Sequence, residues 1–428
     1  MHTQRQLRHP AIPPIGIAGM GIRTAIGCSI PEFQKALFSG QQAFVSTEIN
    51  CDFTLIHAPL AEFHFRQETA HYLHGQKAYS LTHRAPVSVQ HSVLCSLEAW
   101  QQAADETERI PPERRGIIIG AQNINHAYMY EQFLNYQNRP QYIKPSHGIH
   151  FLDTFLMGAL SEIFQIKGEC FQTAAASATG NACIIQGMKQ ILSGAVDCCM
   201  VVGCMASLSP PDYIALRAIG ALGGAGFDKN PGSACRPFDI HHNGFIPGEG
   251  CGCLILTKGN VKRLSGFLLS WGMAMDANAS ADPDGDGELR AMQQSLRQAG
   301  LIPEDIGYIN AHGSASPLGD RTEAEALNRL LGNYAPEVRV NSTKSLVGHC
   351  LWSAGIVEAI ATLIQLNAGQ LHPTLNLNTP ITADLNVVKN KSVLTDCQTG
   401  LSNSFGFGGI NTSIVITKGL NNEQPGWH

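Results

Sequence analysis

Four short segments of this chain set reactive or polar side chains beside glycines at the ends of apolar runs. They are residues 173–181 (TAAASATGN), 309–320 (INAHGSASPLGD), 341–355 (NSTKSLVGHCLWSAG) and 403–413 (NSFGFGGINTS). Strand-end loops are where layered α/β proteins gather catalytic groups. Ser177 offers a hydroxyl, His312 and His349 offer N–H donors or proton acceptors, and Lys344 offers a fixed positive charge. Taken singly, each has a bland alternative. A histidine beside glycine is more often a loop or core residue, and a serine at a helix N-terminus is a common cap. The order of all four along one chain is what carries information.

The elements that must position these residues alternate as short apolar runs and helix-period segments, the pattern of a layered α/β fold. Strands are predicted at 15–19, 116–120, 196–202 and 252–257, with helices at 31–37, 93–104 and 178–192, the last stopped by Gly194. After residues 258–262 the rhythm restarts, with strands at 266–271, 306–311, 338–342 and 412–417 and helices at 287–299, 321–331 and 353–366. Two halves of similar order, 1–258 and 259–428, are therefore expected, although the amino acids themselves do not repeat.

Composition excludes several classes. A chain of 428 residues that is 44% hydrophobic and 15% charged can bury an ample core. A net charge of -5 without a basic block argues against a nucleic-acid groove or an anionic membrane surface. The 13 cysteines are scattered, often inside apolar runs such as 197–202, and indicate a reducing, cytoplasmic setting. The N-terminal stretch carries no apolar signal core, and no apolar run approaches the roughly 20 residues needed to span a bilayer. The tail 421–428 (NNEQPGWH) reads as loose.

In order and spacing the four segments resemble the β-ketoacyl-carrier-protein synthases, across essentially the whole chain. The resemblance implies a thiolase-like α/β fold, with two similar αβαβα-layered halves and mixed five-stranded sheets. The family's nucleophile turn, Ala-Cys-x-Thr-Gly, reads Ala176-Ser177-Ala178-Thr179-Gly180 here. His312 matches the histidine of the family's His-Gly-Thr motif, and His349 that of its Lys-Ser-x-x-Gly-His motif. Lys344 and Glu358 fall where the family has a buried lysine and its acidic partner. Ser314 and Ser316 keep the two hydroxyls that bind the phosphopantetheine arm, and Gly406-Phe407-Gly408-Gly409 keeps the glycine-rich loop. The backbone N–H groups of Ser177 and Phe407 map to the oxyanion hole, and Phe407 and Tyr213 to the pocket gate. Residues 236–239 (RPFD), 244–245, 248–250 and 284–285 match structural signatures.

The departure at residue 177 is chemically decisive. A cysteine thiol, with a free pKa of about 8.5, forms a reactive thiolate at a helix N-terminus. A serine hydroxyl needs a dedicated base and orienter. Acyl transfer onto Ser177 should therefore be slow, and condensation, which needs that bound acyl group, should fail. Decarboxylation needs only the histidine pair to meet the enolate oxygen, with Lys344 and Glu358 expected to bias the protonation and position of His349. Serine for cysteine with the histidines kept resembles the decarboxylating synthases of polyketide β-branching cassettes. Those convert malonyl- to acetyl-carrier protein for an HMG-CoA-synthase-like enzyme. The expected partner is an acyl carrier protein, with Lys144 and Arg217 as docking candidates, and the chain is expected to be a homodimer. No cofactor or metal is implied, the acyl group being carried on the carrier's phosphopantetheine. The rivals are a condensing synthase with Ser177 as nucleophile and a non-catalytic partner subunit like the chain-length factors. Residues 282–287 (DPDGDG) start like a calcium loop but lack its closing glutamate, and His241-His242 and Cys251-x-Cys253 lack partners at metal spacing.

Overall fold

Each half of the chain runs through the same eight elements. The computed structural model describes residues 11–50, 53–258 and 264–419. The first half is β1 (Ile15–Thr24), α1 (Val87–Thr107), β2 (Arg115–Gly120), α2 (Thr154–Phe164), β3 (Cys170–Thr173), α3 (Thr179–Leu192), β4 (Cys198–Gly203) and β5 (Gly250–Lys258). The second is β6 (Gly266–Met275), α4 (Gly285–Ala299), β7 (Tyr308–Asn310), α5 (Pro317–Leu331), β8 (Arg339–Asn341), α6 (Ala354–Ala368), β9 (Thr399–Gly406) and β10 (Ile410–Lys418). Strand order is β3-β2-β4-β5-β1 in the first and β8-β7-β9-β10-β6 in the second, and in each sheet one strand, β5 or β10, runs antiparallel to the other four.

The two five-stranded sheets are not separate. β1 pairs with β6 from Ile15 to Ile17 against Gly266 to Leu268, and a short strand Asn386–Val387 extends the far edge. The division expected at 258/259 falls at the end of β5; residues 259–263, the N-terminal residues 1–10 and the tail 421–428 lie outside the described residues.

Five layers result. One apolar cluster joins β1, β4 and β5 to β6 and β10 through α3 and α6, which form the middle layer. A second packs α1 and α2 on the outer face of the first sheet, and a third packs α4 and α5 on that of the second. Being buried against both sheets explains why α6 is apolar nearly all round. The stretch Leu351–Ala368 is long and apolar enough to cross a membrane but is 83% buried inside the protein, as a core helix would be. α3 and α6 meet at their N-terminal ends because both carry glycine there. A Cβ on Gly180 would sit 2.5 Å from the Ile356 nitrogen, and one on Gly355 would sit 2.6 Å from the Asn181 nitrogen. This contact brings the turns ahead of the two helices, and their polar residues, together.

Candidate active site

Ser177 sits in a 3-10 turn, Ala176–Ala178, between β3 and α3. The helix begins at Thr179, one residue later than the sequence suggests, and Ser177 does not cap it. Thr179 organises the turn instead: its Oγ1 accepts from the Ala175 N–H at 2.8 Å and donates to the Ala176 carbonyl at 2.6 Å. Ala176 is held at φ +46°, a left-handed conformation uncommon for a residue with a Cβ. The end of β9 presses on this turn, where a Cβ at Gly406 would lie 2.6 Å from the Ala175 oxygen and 3.2 Å from the Ser177 nitrogen. Only glycine fits there.

The Ser177 Oγ lies 2.9 Å from His349 Nε2. His349 follows Gly348, at φ +73°, and its backbone is clamped to the first half by hydrogen bonds to the Ile246 oxygen (2.7 Å) and the Gly248 nitrogen (3.0 Å). Its Nδ1 accepts from the Leu351 N–H at 3.1 Å. A backbone N–H can only donate, so Nδ1 is bare and the single proton of the neutral ring is on Nε2. His349 therefore donates to Ser177 and cannot act as its base.

His312 ends β7. Its N–H and that of Gly313 donate to the Glu323 carboxylate at 2.8 and 2.7 Å. Its Nδ1 faces two donors, the Phe405 N–H and the Lys344 Nζ, each at 3.4 Å, which again leaves the proton on Nε2. The two imidazoles meet edge to face, 5.5 Å between centroids at 82°. Burial and the nearby Lys344 ammonium hold both well below the ordinary histidine range, and His349 adds to the effect on His312.

Lys344 corrects half of one expectation. It is buried, paired with Glu358 and does add to burial in lowering the pKa of the His349 imidazole, but its ammonium donates to the His312 carbonyl at 2.6 Å, so the histidine it positions is His312. Glu358 also accepts from Ser404 Oγ at 3.4 Å. Burial raises the Glu358 carboxyl while Lys344 opposes the rise.

A cavity of about 410 Å³ is lined by Ser177, His312, His349, Ser314, Ser316 and Phe407. Ser314 is buried, half-buried Ser316 precedes α5 as its N-terminal cap residue, and Phe407 is 43% exposed. Tyr213 is a second correction. It packs in an apolar cluster with Phe53, Phe245 and Leu351 and does not line the cavity. Lys344 and Glu358 lie behind the cavity wall. Sequence reasoning missed Glu288, Asp276 and Asn411, which also line it. Asp284 in the calcium-loop-like segment caps α4 by accepting from the Asp286 N–H, and His242 contacts Asp320. Among the described residues no group of three or more His, Cys, Asp or Glu is arranged to hold a metal ion.

Residues 13–261 match the family model of the β-ketoacyl synthase N-terminal domain, and residues 266–378 that of its C-terminal domain. The polyketide biosynthesis malonyl-ACP decarboxylase PksF of Bacillus subtilis is 34% identical over 95% of this chain and 96% of its own length. The 3-oxoacyl-[acyl-carrier-protein] synthase 2 of Synechocystis sp. is 28% identical over 94% of this chain and 97% of its own. Two solved structures share the fold. One is a ketosynthase bound to the hexaketide in complex with its type II polyketide acyl-carrier protein (TM-score 0.84, 23% identity, 96% of this chain and 100% of that one). The other is a β-ketoacyl synthase of Burkholderia phymatum (TM-score 0.82, 24% identity, the same coverage).

Proposed function

The chain belongs to the β-ketoacyl synthase family, and on that premise we propose that it decarboxylates malonyl-acyl-carrier protein to acetyl-acyl-carrier protein. The observation that carries this reading is the hydrogen bonding around His349. With Nδ1 taken by the Leu351 N–H, the ring faces Ser177 as a donor. Ser177 thus lacks the base a serine nucleophile requires, and no acyl-enzyme forms. The same tautomer suits decarboxylation. With the malonyl thioester carbonyl between the two Nε2–H groups, the bond to the carboxylate breaks, carbon dioxide leaves, and its electron pair moves onto the thioester as an enolate. Two preorganised donors meet the developing charge. Such a donor typically contributes about 10²–10³ in rate.

Supporting features agree. A cavity of about 410 Å³ is at the small end of ligand pockets, which suits a short acyl group. Ser314 and Ser316 place hydroxyls for the pantetheine arm. A non-catalytic partner subunit would need neither histidine nor the buried lysine pair. The similarity to PksF supports a place in polyketide biosynthesis, and within it we propose that the acetyl-carrier product feeds an HMG-synthase-like β-branching step. Exposed Lys144 and Arg217 remain the docking candidates for the carrier protein. The exposed edge strand β3 and exposed Phe133, Tyr136 and Phe151 favour a homodimer, and the free cysteines among the described residues, most of them buried, favour the reducing cytoplasm.

The test is intact-protein mass spectrometry of malonyl-carrier protein before and after exposure to the enzyme. We expect loss of carbon dioxide to give acetyl-carrier protein with no adduct on this chain. An acyl group on Ser177 that proceeds to a β-ketoacyl product would refute the reading.

A further inference from the structure

Decarboxylation must return a proton to the carbon that loses its carboxylate, and the site described so far has no group free to supply it. Each imidazole keeps its one proton on Nε2 as a hydrogen-bond donor, and a neutral imidazole N–H is not an acid at neutral pH. The Lys344 ammonium is engaged by Glu358 and the His312 carbonyl and does not reach the cavity. Asp276 also lines the cavity and burial raises its carboxyl, but its two oxygens already accept from the Asn411 amide and the Asp284 N–H, which oppose that rise and leave neither oxygen without a partner. Asp282 is exposed to water at the cavity's edge.

Glu288 differs from all of these. It lies in the first turn of α4, is 1% exposed, and lines the same cavity as Ser177, His312 and His349. Its Oε2 is buried without a hydrogen-bond partner. An unpartnered carboxylate is costly in such a place, and a neutral carboxyl is much less so. The charged groups acting on it, Glu323, Asp276, Asp284 and Asp320, are acids as well. Burial and these neighbours push the Glu288 carboxyl well above its usual range, and Glu323, which holds the His312 and Gly313 amides, is raised to about 7.

We propose that Glu288 is the proton donor of the decarboxylation. After carbon dioxide has left with the bond to the α-carbon broken, the enolate carbon takes the carboxyl proton of Glu288. The products are the acetyl thioester and an ionised Glu288, which regains a proton from water. One proton is consumed per carbon dioxide released, so the reaction balances without a further reactant. The role rests on the decarboxylase reading above and adds to it the source of the proton.

The experiment compares the wild-type enzyme with Glu288→Gln and Glu288→Asp. The substrate is malonyl-carrier protein tritiated stereospecifically at the malonyl methylene and turned over in deuterium oxide. A fixed acid delivers the deuteron to one face, so the wild type should give a chiral methyl group of one configuration. Glu288→Gln keeps the shape but not the acid. It should slow acetyl formation on the order of 10²-fold, the usual contribution of a general acid, and give racemised product. Glu288→Asp should recover part of the rate with the wild-type configuration, and it carries the test alone if the glutamine variant does not fold. A glutamine variant within threefold of the wild-type rate overturns the proposal. So does a slow variant that keeps full stereospecificity, a racemic wild-type product, or an aspartate variant that racemises. A wild-type enzyme that releases no carbon dioxide overturns the decarboxylase reading itself, which the control shows before any variant is read.

Discussion

The loop after the third strand of each half occupies the same place in the duplicated topology, yet the two loops do different work. In the first half, residues 174–178 pass directly from β3 to α3 and present one hydroxyl, Ser177. In the second, residues 342–353 insert the short helix Lys344–Val347 before α6 and present both a buried lysine and His349. The loops after the second strands diverge further. Residues 311–316 are compact and carry His312, Ser314 and Ser316, whereas residues 121–153 form a long excursion containing the helix His126–Asn138. The lesson is a division of labour. The polar machinery belongs to the second half, and the first contributes a hydroxyl, clamping backbone and a cavity wall. Exchange of the nucleophile thiol for a hydroxyl can therefore end acyl transfer without disturbing the histidine pair.

Five measurements would break or sharpen that comparison. The largest effect is expected in the second half: His312→Ala and His349→Ala should each lower decarboxylation by about 10²–10³, measured as acetyl-carrier formation, with carrier binding retained. Near-normal turnover in either variant removes that histidine from the mechanism. Next comes the buried pair. Lys344→Ala leaves Glu358 uncompensated and should cost about 3–5 kcal/mol in chemical denaturation. Lys344→Met with Glu358→Leu should regain much of that stability but not the rate, because the contact to the His312 carbonyl is gone. If the double variant is fully active, the pair serves folding alone.

Smaller effects are expected in the first half. Ser177→Ala should change decarboxylation only a few-fold, since a hydroxyl that accepts from His349 is not itself a reactant. Ser177→Cys should become labelled by a thiol-directed inhibitor, because the turn opens toward the positive end of α3. A folded cysteine variant that resists all acylation would show that this turn is no longer a nucleophile position. The smallest effect is a null one. Burial and Lys344 lower both imidazoles well below the ordinary histidine range, so they stay neutral as the pH falls through it. In NMR the ring signals of His312 and His349 should not titrate between about pH 7.5 and about pH 6, where an ordinary histidine of pKa about 6.5 would mostly protonate. A titration tracking that ordinary value would mean that burial and Lys344 do not hold the rings as described.

Legibility in the sequence followed the hydrophobic pattern. Strands such as β4 and β5, buried on both faces, stand out as apolar runs. β3 was not visible because its residues, CFQT, are largely exposed at a sheet edge, and β9 was not because Ser402, Asn403 and Ser404 fill it with buried polar groups. The motif residues were legible by resemblance, but their contacts were not. The tie of Ser177 to His349 joins residues far apart in sequence, and the reach of Lys344 to His312 depends on how two loops cross. Glu288 did leave a signal. It shares the buried face of α4 with Met292, Ser295 and Ala299 at helical spacing, and a glutamate on such a face calls for an explanation.

The join between the two sheets has a consequence for biosynthesis. β1 is among the first elements made, yet its sheet partners are β5 and β6. Until residues 250–258 and 266–268 have been translated, Ile15–Thr24 has neither neighbour, and its apolar strand edges stay open to other chains. Long-range pairing of this kind is slow and exposes aggregation-prone surface while it waits. The first sheet therefore cannot close until β5, its last strand in sequence, has been made, so nearly the whole first half waits for it and would gain from chaperone protection during synthesis.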